Sequence, residues 1–516
     1  MTLPALFKKY ICRALSLLLL FCFFTFLFGG CKKKHVKIAK ILYKKIPNPI
    51  FEKLDDDEFA TAFKKVLNEE KLKITYPQWV SQYYDKNGYW PAFVLDGLQN
   101  GDFQNLTDHY DKAGDHGLDP KMFQSQQIKD LVAKLNSITA IKTDSEAYRD
   151  MAELEILTAN SLINYSNDLQ YGVINPKKIY SRYFMATKRP DSLAVLQVLN
   201  TRNFNTYLDT IQPKDPQYIA LQKAYLSNAS VAGLSPEESK RILLVNMERL
   251  RWKNKPTEDK YVIVNIPDFK LNVMDSGKSV LSMKVCVGMG RNMDNAKTLL
   301  HFDDTDRVDN PNPHQTPILN SLIHSVQVNP IWNIPQSIAN KEIIVEAEQD
   351  PYYLSNKNIN VYKNDVLVED SEDIDWDTVD KTQYSFKQQP GEDNSLGKIK
   401  FLFNNKSNVY LHDTPAKSYF YRAMRAVSHG CVRLGDPQGL ALNLFGKDSW
   451  QYTMIDSDMI KQKPDPTTID LPKKVPVYIT YVTCWADENG VLQYRKDVYG
   501  MDIVLYSHLM EKLGSN

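Results

Sequence analysis

The sequence predicts an α+β protein of more than one domain: an all-α N-terminal scaffold followed by a mainly β domain that carries an insertion. Three observations predict it. The chain has 516 residues, and single cores stop growing near about 250–300 residues. Apolar residues recur at three- and four-residue spacing from residue 51 to 252, then switch to period two near residue 260. Hydrophobic residues make up 43% and aromatics 11%, enough for packed cores and too much for wholesale disorder.

Charge narrows the partners. With 63 basic and 62 acidic residues the net charge is +1, and no basic stripe follows the first few dozen residues. Nothing there would attract nucleic acid.

The N-terminus reads as an export signal. Lys8, Lys9 and Arg13 precede "ALSLLLLFCFFTFLF" (14–28), which is shorter than the roughly 20 apolar residues of a spanning helix. Gly29 and Gly30 then lead into Cys31. Small residues before a cysteine resemble a bacterial lipobox, whose cysteine is lipidated and becomes the new first residue; Phe28 stands where an aliphatic residue is usual. The expectation is a lipoprotein-type signal at 1–31 with Cys31 as the lipidation site, making the chain an exported, membrane-anchored periplasmic lipoprotein. An uncleaved anchor and a soluble secreted protein are the alternatives. A polar linker is expected at 32–50.

From 51 to 257 a helical scaffold domain is expected. "DDEFATAFKKVLNEE" and "DSEAYRDMAELEILTANSLINYSNDLQYG" carry helical periodicity with acidic residues in the first turn. The second reads as a long amphipathic helix stopped at Gly172 and Pro176. In "LSPEESKRILLVNMERLRW", Ser235 suits an N-cap, Pro236 the first helical position and Glu238 the third. His116, in "HGLDP", reads as a helix-terminal residue. No residue in this half forms a catalytic constellation.

The β domain is expected at 258–505. "KYVIVNIPDFKLNVMDSGKSVLSMKVCVG" reads as three strands, and "LIHSVQVN", "KIKFLFN" and "SNVYLHD" follow. Between them, 336–386 breaks the pattern with helical and then acidic sequence ("VEDSEDIDWD"). It reads as a capping insertion or lid, against the alternative of a solvated excursion.

Chemistry concentrates at "SHGCVRL" (428–434). Outside the signal and Cys31, only Cys286, Cys431 and Cys484 remain, so at least one thiol stays free in an oxidising compartment. Cys286, between Val285 and Val287, reads as a buried strand residue; a Cys286–Cys484 disulfide stays open. There is no CxxC pair and no HExxH spacing, so neither a metal nor a cofactor is expected. Cysteine acyl transfer needs a thiolate, a base and oxyanion donors. Gly430 lets a substrate approach Cys431, and a helix is expected from Asp436 and Pro437 onward. His412 ends the strand "NVYLHD", where alternation sets it on one face with Tyr410. It is the expected base; His429, two residues from Cys431 across a glycine, is the lesser candidate.

"HDTP…SHGCVRL" closely resembles the signature of the L,D-transpeptidases. "VNPIWNIP", "PGEDNSLGKIKF", "YVTCWADENGVLQYRKDVYGMD" and "HGLDP" resemble the large periplasmic subclass, which has a helical scaffold and a capping insertion. The resemblance implies that Cys431 attacks the carbonyl between diaminopimelate and the terminal D-alanine of a peptidoglycan stem tetrapeptide. D-alanine would leave, and an amine of an acceptor stem would resolve the thioester into a 3–3 cross-link. His412 would move the proton, and the amides of Gly430 and Cys431 would hold the oxyanion. Arg433 would orient the loop or a substrate carboxylate, with Trp332, Tyr410, Ser428 and His429 contacting substrate. Carbapenems would acylate Cys431. Cell-wall synthesis proteins would meet the helical domain. Two departures stand out: the chain has no room for the small peptidoglycan-binding module many members carry, and Cys484 stands where an apolar residue is expected. The same thioester could serve an L,D-carboxypeptidase or an enzyme attaching another amine, and a non-catalytic cell-wall scaffold is the reading from a different class.

Overall fold

The computed structural model describes residues 37–231, 233–291, 297–461 and 464–514; the signal segment and Cys31 lie outside them. The chain is helical first and mainly β afterwards, apart from a closing helix, Met501–Lys512.

The expected linker at 32–50 is corrected over its described part. Ile38–Lys45 is a helix, and Pro49–Glu52 forms a short second one behind the Asn48 cap. Ile38, Leu42 and Ile46 recur on one helical face and are buried in the scaffold core. Lysines between them conceal the pattern in the sequence.

The helix Asp144–Tyr171 is the axle of the scaffold. The Thr143 hydroxyl accepts from the Glu146 amide at its start, and Gly172, at φ +77°, ends it. Its buried face is wide, with eighteen of its 28 residues buried, and the exposed or half-buried Arg149, Glu153, Leu157 and Asn160 follow one another at three- and four-residue spacing on the opposite side, as the amphipathic expectation requires. Glu155, fully buried, accepts from Tyr84 Oη (2.7 Å) and from the amides of Ala92 (2.7 Å), Phe93 (3.0 Å) and Val94 (2.8 Å). One carboxylate thereby satisfies the exposed amides that open the helix Val94–Asn100.

Packing divides the chain elsewhere than secondary structure does. Ile38 to Leu169 and Val195 to Ile211 share one core. Ile174 to Met185 and Tyr218 to Trp252 share the other core with the β domain. The helix Pro236–Arg251, capped by Ser235, carries Arg249, whose guanidinium is 2.5 Å from Asp502 in the closing helix. The last scaffold helices are therefore the foundation of the sheet.

That sheet has nine strands in the order Ala426–Ser428, Lys278–Gly288, Val432–Leu434, Leu411–His412, Ile399–Phe403, Leu319–Val328, Thr467–Thr480, Lys260–Asn265 and Lys270–Asp275. Lys270–Asp275 also pairs with Lys278–Gly288, so eight of the strands close on themselves and Ala426–Ser428 pairs only with Lys278–Gly288. The insertion is a small body with its own sheet, in the order Trp332–Ile334, Tyr384–Gln388, Ile359–Lys363 and Val366–Val368. Its bounds correct the expected 336–386: Trp332 is paired with Gln388, so two strands bracket the excursion. Ile344, Leu354, Val361 and Phe386 fill its core. Cys286, Cys431 and Cys484 are all free thiols, so no Cys286–Cys484 bond is present.

Candidate active site

The site sits where two short strands end side by side. Leu411–His412 runs parallel to Val432–Leu434, with Leu411 opposite Val432 and His412 opposite Arg433. On its other side it runs antiparallel to Ile399–Phe403, with Leu411 opposite Phe401 and His412 opposite Lys400. Register partners point to the same face of a sheet, and neighbours in sequence to opposite faces. Leu411, Val432 and Phe401 go into the core, each fully buried. The other face therefore carries a row of Lys400, His412 and Arg433. Tyr410 and Cys431 stand one pleat along, where the Val432 amide donates to the Tyr410 carbonyl at 3.1 Å.

His412 is held neutral and aimed. Its Nδ1 donates to the Asp413 carbonyl at 2.5 Å, which leaves Nε2 as the basic nitrogen. Burial and then the Arg433 guanidinium lower its pKa to about 3, against the pull of the Asp413 and Leu396 carbonyls. The Asp413 carboxylate accepts from the Lys398 amide (2.9 Å) and pairs with Lys417 (2.5 Å), which pins the turn behind the histidine.

Burial raises the Cys431 thiol above its ordinary value. Hydrogen bonds with the Tyr410 amide and hydroxyl, and the charges of Arg433 and Lys400, pull it back in part. Thiol and imidazole are thus both held in their neutral forms. Tyr410 stands with its ring centroid 5.6 Å from that of His412, and burial and the thiol raise its own pKa.

The loop before Cys431 is folded by its own atoms. Ser428 Oγ accepts from the Gly430 amide (3.2 Å) and donates to the Cys431 carbonyl (2.5 Å). Two expectations change here. Ser428, 2% exposed, is bound up in shaping the loop and does not face substrate. The Gly430 amide is occupied, so among the described residues only the Cys431 amide of the expected pair is without a partner. Gly430 has φ +118°, a conformation that requires glycine. Its carbonyl accepts from Thr316 Oγ1 at 2.8 Å, and Thr316 Oγ1 in turn accepts from the Gly288 amide. Tyr499 Oη steadies the same spot, donating to the Gly288 carbonyl (2.8 Å) and accepting from the Thr316 amide (3.2 Å).

His429 points away to the insertion: its Nε2 lies 2.6 Å from Glu342 Oε1, and its ring packs edge-on against His314 at 4.4 Å. Arg433 lies over the Tyr419 ring at 5.6 Å. Trp332, half-buried, packs on the insertion's core. Sequence reading missed Lys400, Thr316, Tyr499, His314 and Glu342. Only Lys400 left a trace, as an outward residue in the alternating "KIKF". The rest meet the site across long stretches of chain. Among the described residues, no cluster of histidine, cysteine, aspartate and glutamate is arranged to hold a metal.

A thiol, a neutral imidazole and a free amide stand on one face of the sheet, the kinds of group that cysteine acyl transfer would need. Residues 78–225 match the family described as "Scaffold domain", and residues 259–448 match "L,D-transpeptidase catalytic domain". The chain belongs to the L,D-transpeptidases that carry a helical scaffold. A protein of Haemophilus influenzae named "Putative L,D-transpeptidase" is 29% identical over 326 residues, 63% of this chain. The chain covers 61% of that relative's length.

Proposed function

We propose that this chain is a peptidoglycan L,D-transpeptidase that works through a Cys431 thioester and forms 3–3 cross-links. The observation that carries the reading is the shared sheet face of Cys431, Tyr410 and His412, with His412 Nδ1 tied to a carbonyl and Nε2 left basic. His412 Nε2 takes the thiol proton as sulfur attacks the carbonyl before the terminal D-alanine. The oxyanion is met by the Cys431 amide. The carbon–nitrogen bond breaks, His412 returns the proton to the leaving amine, and D-alanine departs. An amine of an acceptor stem then attacks the thioester, passes its proton to His412 and restores the thiol. Arg433 and Trp332 belong to the substrate side of this reading, Arg433 beside His412 and Trp332 at the root of the insertion.

The test is product analysis. Disaccharide tetrapeptides incubated with the protein should lose D-alanine and yield dimers by mass spectrometry, and Cys431→Ala should abolish both. Tripeptide monomers without dimers would identify water as the acceptor. No turnover, with no carbapenem adduct on Cys431, would leave a binding scaffold. We also propose export and lipid anchoring at Cys31, with cell-wall synthesis proteins docking on the helical domain. Palmitate labelling that survives Cys31→Ser would refute the anchor.

A further inference from the structure

Passing a proton from Cys431 to His412 creates two charges, and the site treats them unequally. Burial and Arg433 both oppose an imidazolium at His412. A thiolate cannot rely on that imidazolium as its counter-charge in the interval before sulfur bonds to the carbonyl carbon. A fixed cation on the same face would solve the problem. Two are present, Lys400 and Arg433, and they differ in what surrounds them.

Lys400 is the register partner of His412 on the outer side, and its ammonium lies over the Tyr410 ring at 5.4 Å. The Tyr410 hydroxyl is hydrogen-bonded with the Cys431 thiol; burial lowers the Lys400 pKa, and the thiol is the charge partner that works against that fall. Among the described residues its Nζ has no hydrogen bond and no ion pair. The nearby acids are engaged elsewhere: Asp413 with Lys417 and the Lys398 amide, Glu392 with Lys398. Gln327, its partner on the next strand, is neutral. A half-buried ammonium without a carboxylate carries a solvation cost that packing does not repay. Arg433, by contrast, rests on Tyr419, acts against a charged His412, and faces Cys286 across the next strand.

We propose that Lys400 is the fixed counter-charge of the Cys431 thiolate, a positioning residue that neither gives nor takes a proton in the acylation. The inference rests on the reading of Cys431 as nucleophile. The groups facing the thiol are Tyr410 and His412 on one strand, Lys400 on the next, Arg433 on its own strand and His429 in the loop. Among the described residues neither Arg433 nor Lys400 has an ion pair, and Arg433 acts on the thiol more strongly, but Arg433 also opposes a charged His412 and Lys400 does not. The opposing account is a lysine whose stem merely covers Tyr410. Methionine would cover it equally well, so Lys400→Met removes the charge and keeps the packing.

The experiment follows alkylation of Cys431 by iodoacetamide across pH in the full chain, with the adduct located by mass spectrometry to separate it from Cys286 and Cys484. Lys400→Met should move the alkylation midpoint up by about one pH unit, a roughly tenfold slower reaction below the midpoint. Lys400→Arg should keep the wild-type midpoint, and the exposed Lys474→Met should leave it unchanged. Single-turnover acylation by a tetrapeptide donor should slow in Lys400→Met and be restored in Lys400→Arg. A Lys400→Met profile that superimposes on wild type, at an unchanged melting temperature, overturns the inference. A melting temperature that falls in both Lys400 variants, with no midpoint shift in Lys400→Met, assigns the residue to packing and also overturns it. Failure of the underlying reading looks different: Cys431→Ala would then retain turnover, whatever Lys400 does.

Discussion

Glu342 Oε1 meets His429 Nε2 at 2.6 Å, so the insertion grips the chain two residues before Cys431. Glu342 lies in a π-helical turn, Ala339–Ile343, a distortion that often marks functional sites. The carboxylate is half exposed, which limits the stabilisation to about 0–1 kcal/mol. Glu342→Ala should therefore leave the melting temperature nearly unchanged. It should raise deuterium exchange in Ile344–Gln349 and shift KM for the donor more than kcat. Unaltered exchange there would mean that the insertion is held by its other contacts alone.

His412 makes the catalytic domain acid-sensitive. Its folded pKa is lowered to about 3 from an ordinary 6.5, so the unfolded chain binds the proton that the folded chain refuses. The stabilisation is fully present above 6.5 and is lost as pH falls from there toward 3. His412→Gln should flatten the melting curve against pH in that window. It should also lower acylation by about 10²–10⁴-fold, the usual worth of a general base. Calorimetry across pH checks the first outcome and single-turnover kinetics the second.

Thr316 is the strut under Gly430. Thr316→Val removes the donor to the Gly430 carbonyl and the acceptor of the Gly288 amide in a buried spot, and should cost about 1–3 kcal/mol. A Cβ at Gly288 would fall 1.9 Å from the His314 carbonyl oxygen, so Gly288→Ala has to displace backbone beneath the Cys431 loop. Both variants should retain a titratable Cys431 yet acylate slowly. A carbapenem adduct formed at the wild-type rate would show that the loop keeps its shape without them.

These struts explain what was legible in the sequence and what was not. The switch from helical to period-two spacing near residue 260 showed the fold class, because periodicity is a local property. Ser235, Pro236 and Gly172 marked helix ends for the same reason. Alternation along "NVYLHD" set Tyr410 and His412 on one face, and glycine before cysteine flagged the loop. Lys400 escaped because its place depends on cross-strand register, which no single stretch encodes. Thr316 and Tyr499 reach the loop through folds of the chain more than 60 residues away. The Ile38–Lys45 helix was hidden by its lysines, and the helices before Trp252 declare their loyalty to the sheet only through packing.

That loyalty can be measured at Asp502. Its carboxylate pairs with Arg249 (2.5 Å) and accepts from Thr483 Oγ1 (2.8 Å), and both charged side chains are buried. Asn246 donates to the same threonine at 2.9 Å, so one cluster joins a scaffold helix, a β-domain loop and the closing helix. Asp502→Ala strands the Arg249 guanidinium in a dry site and should cost about 3–5 kcal/mol. Replacing both partners, as in Arg249→Met with Asp502→Leu, removes the stranded charge and should recover most of that loss. Because these helices share the sheet's core, the single variant should lower the melting of the β domain. The Ile38 to Leu169 core should melt unchanged, since it does not include this helix. Intrinsic fluorescence and calorimetry on the full chain would separate the two transitions. A single variant that melts like wild type would show that the pair contributes nothing to holding scaffold and sheet together.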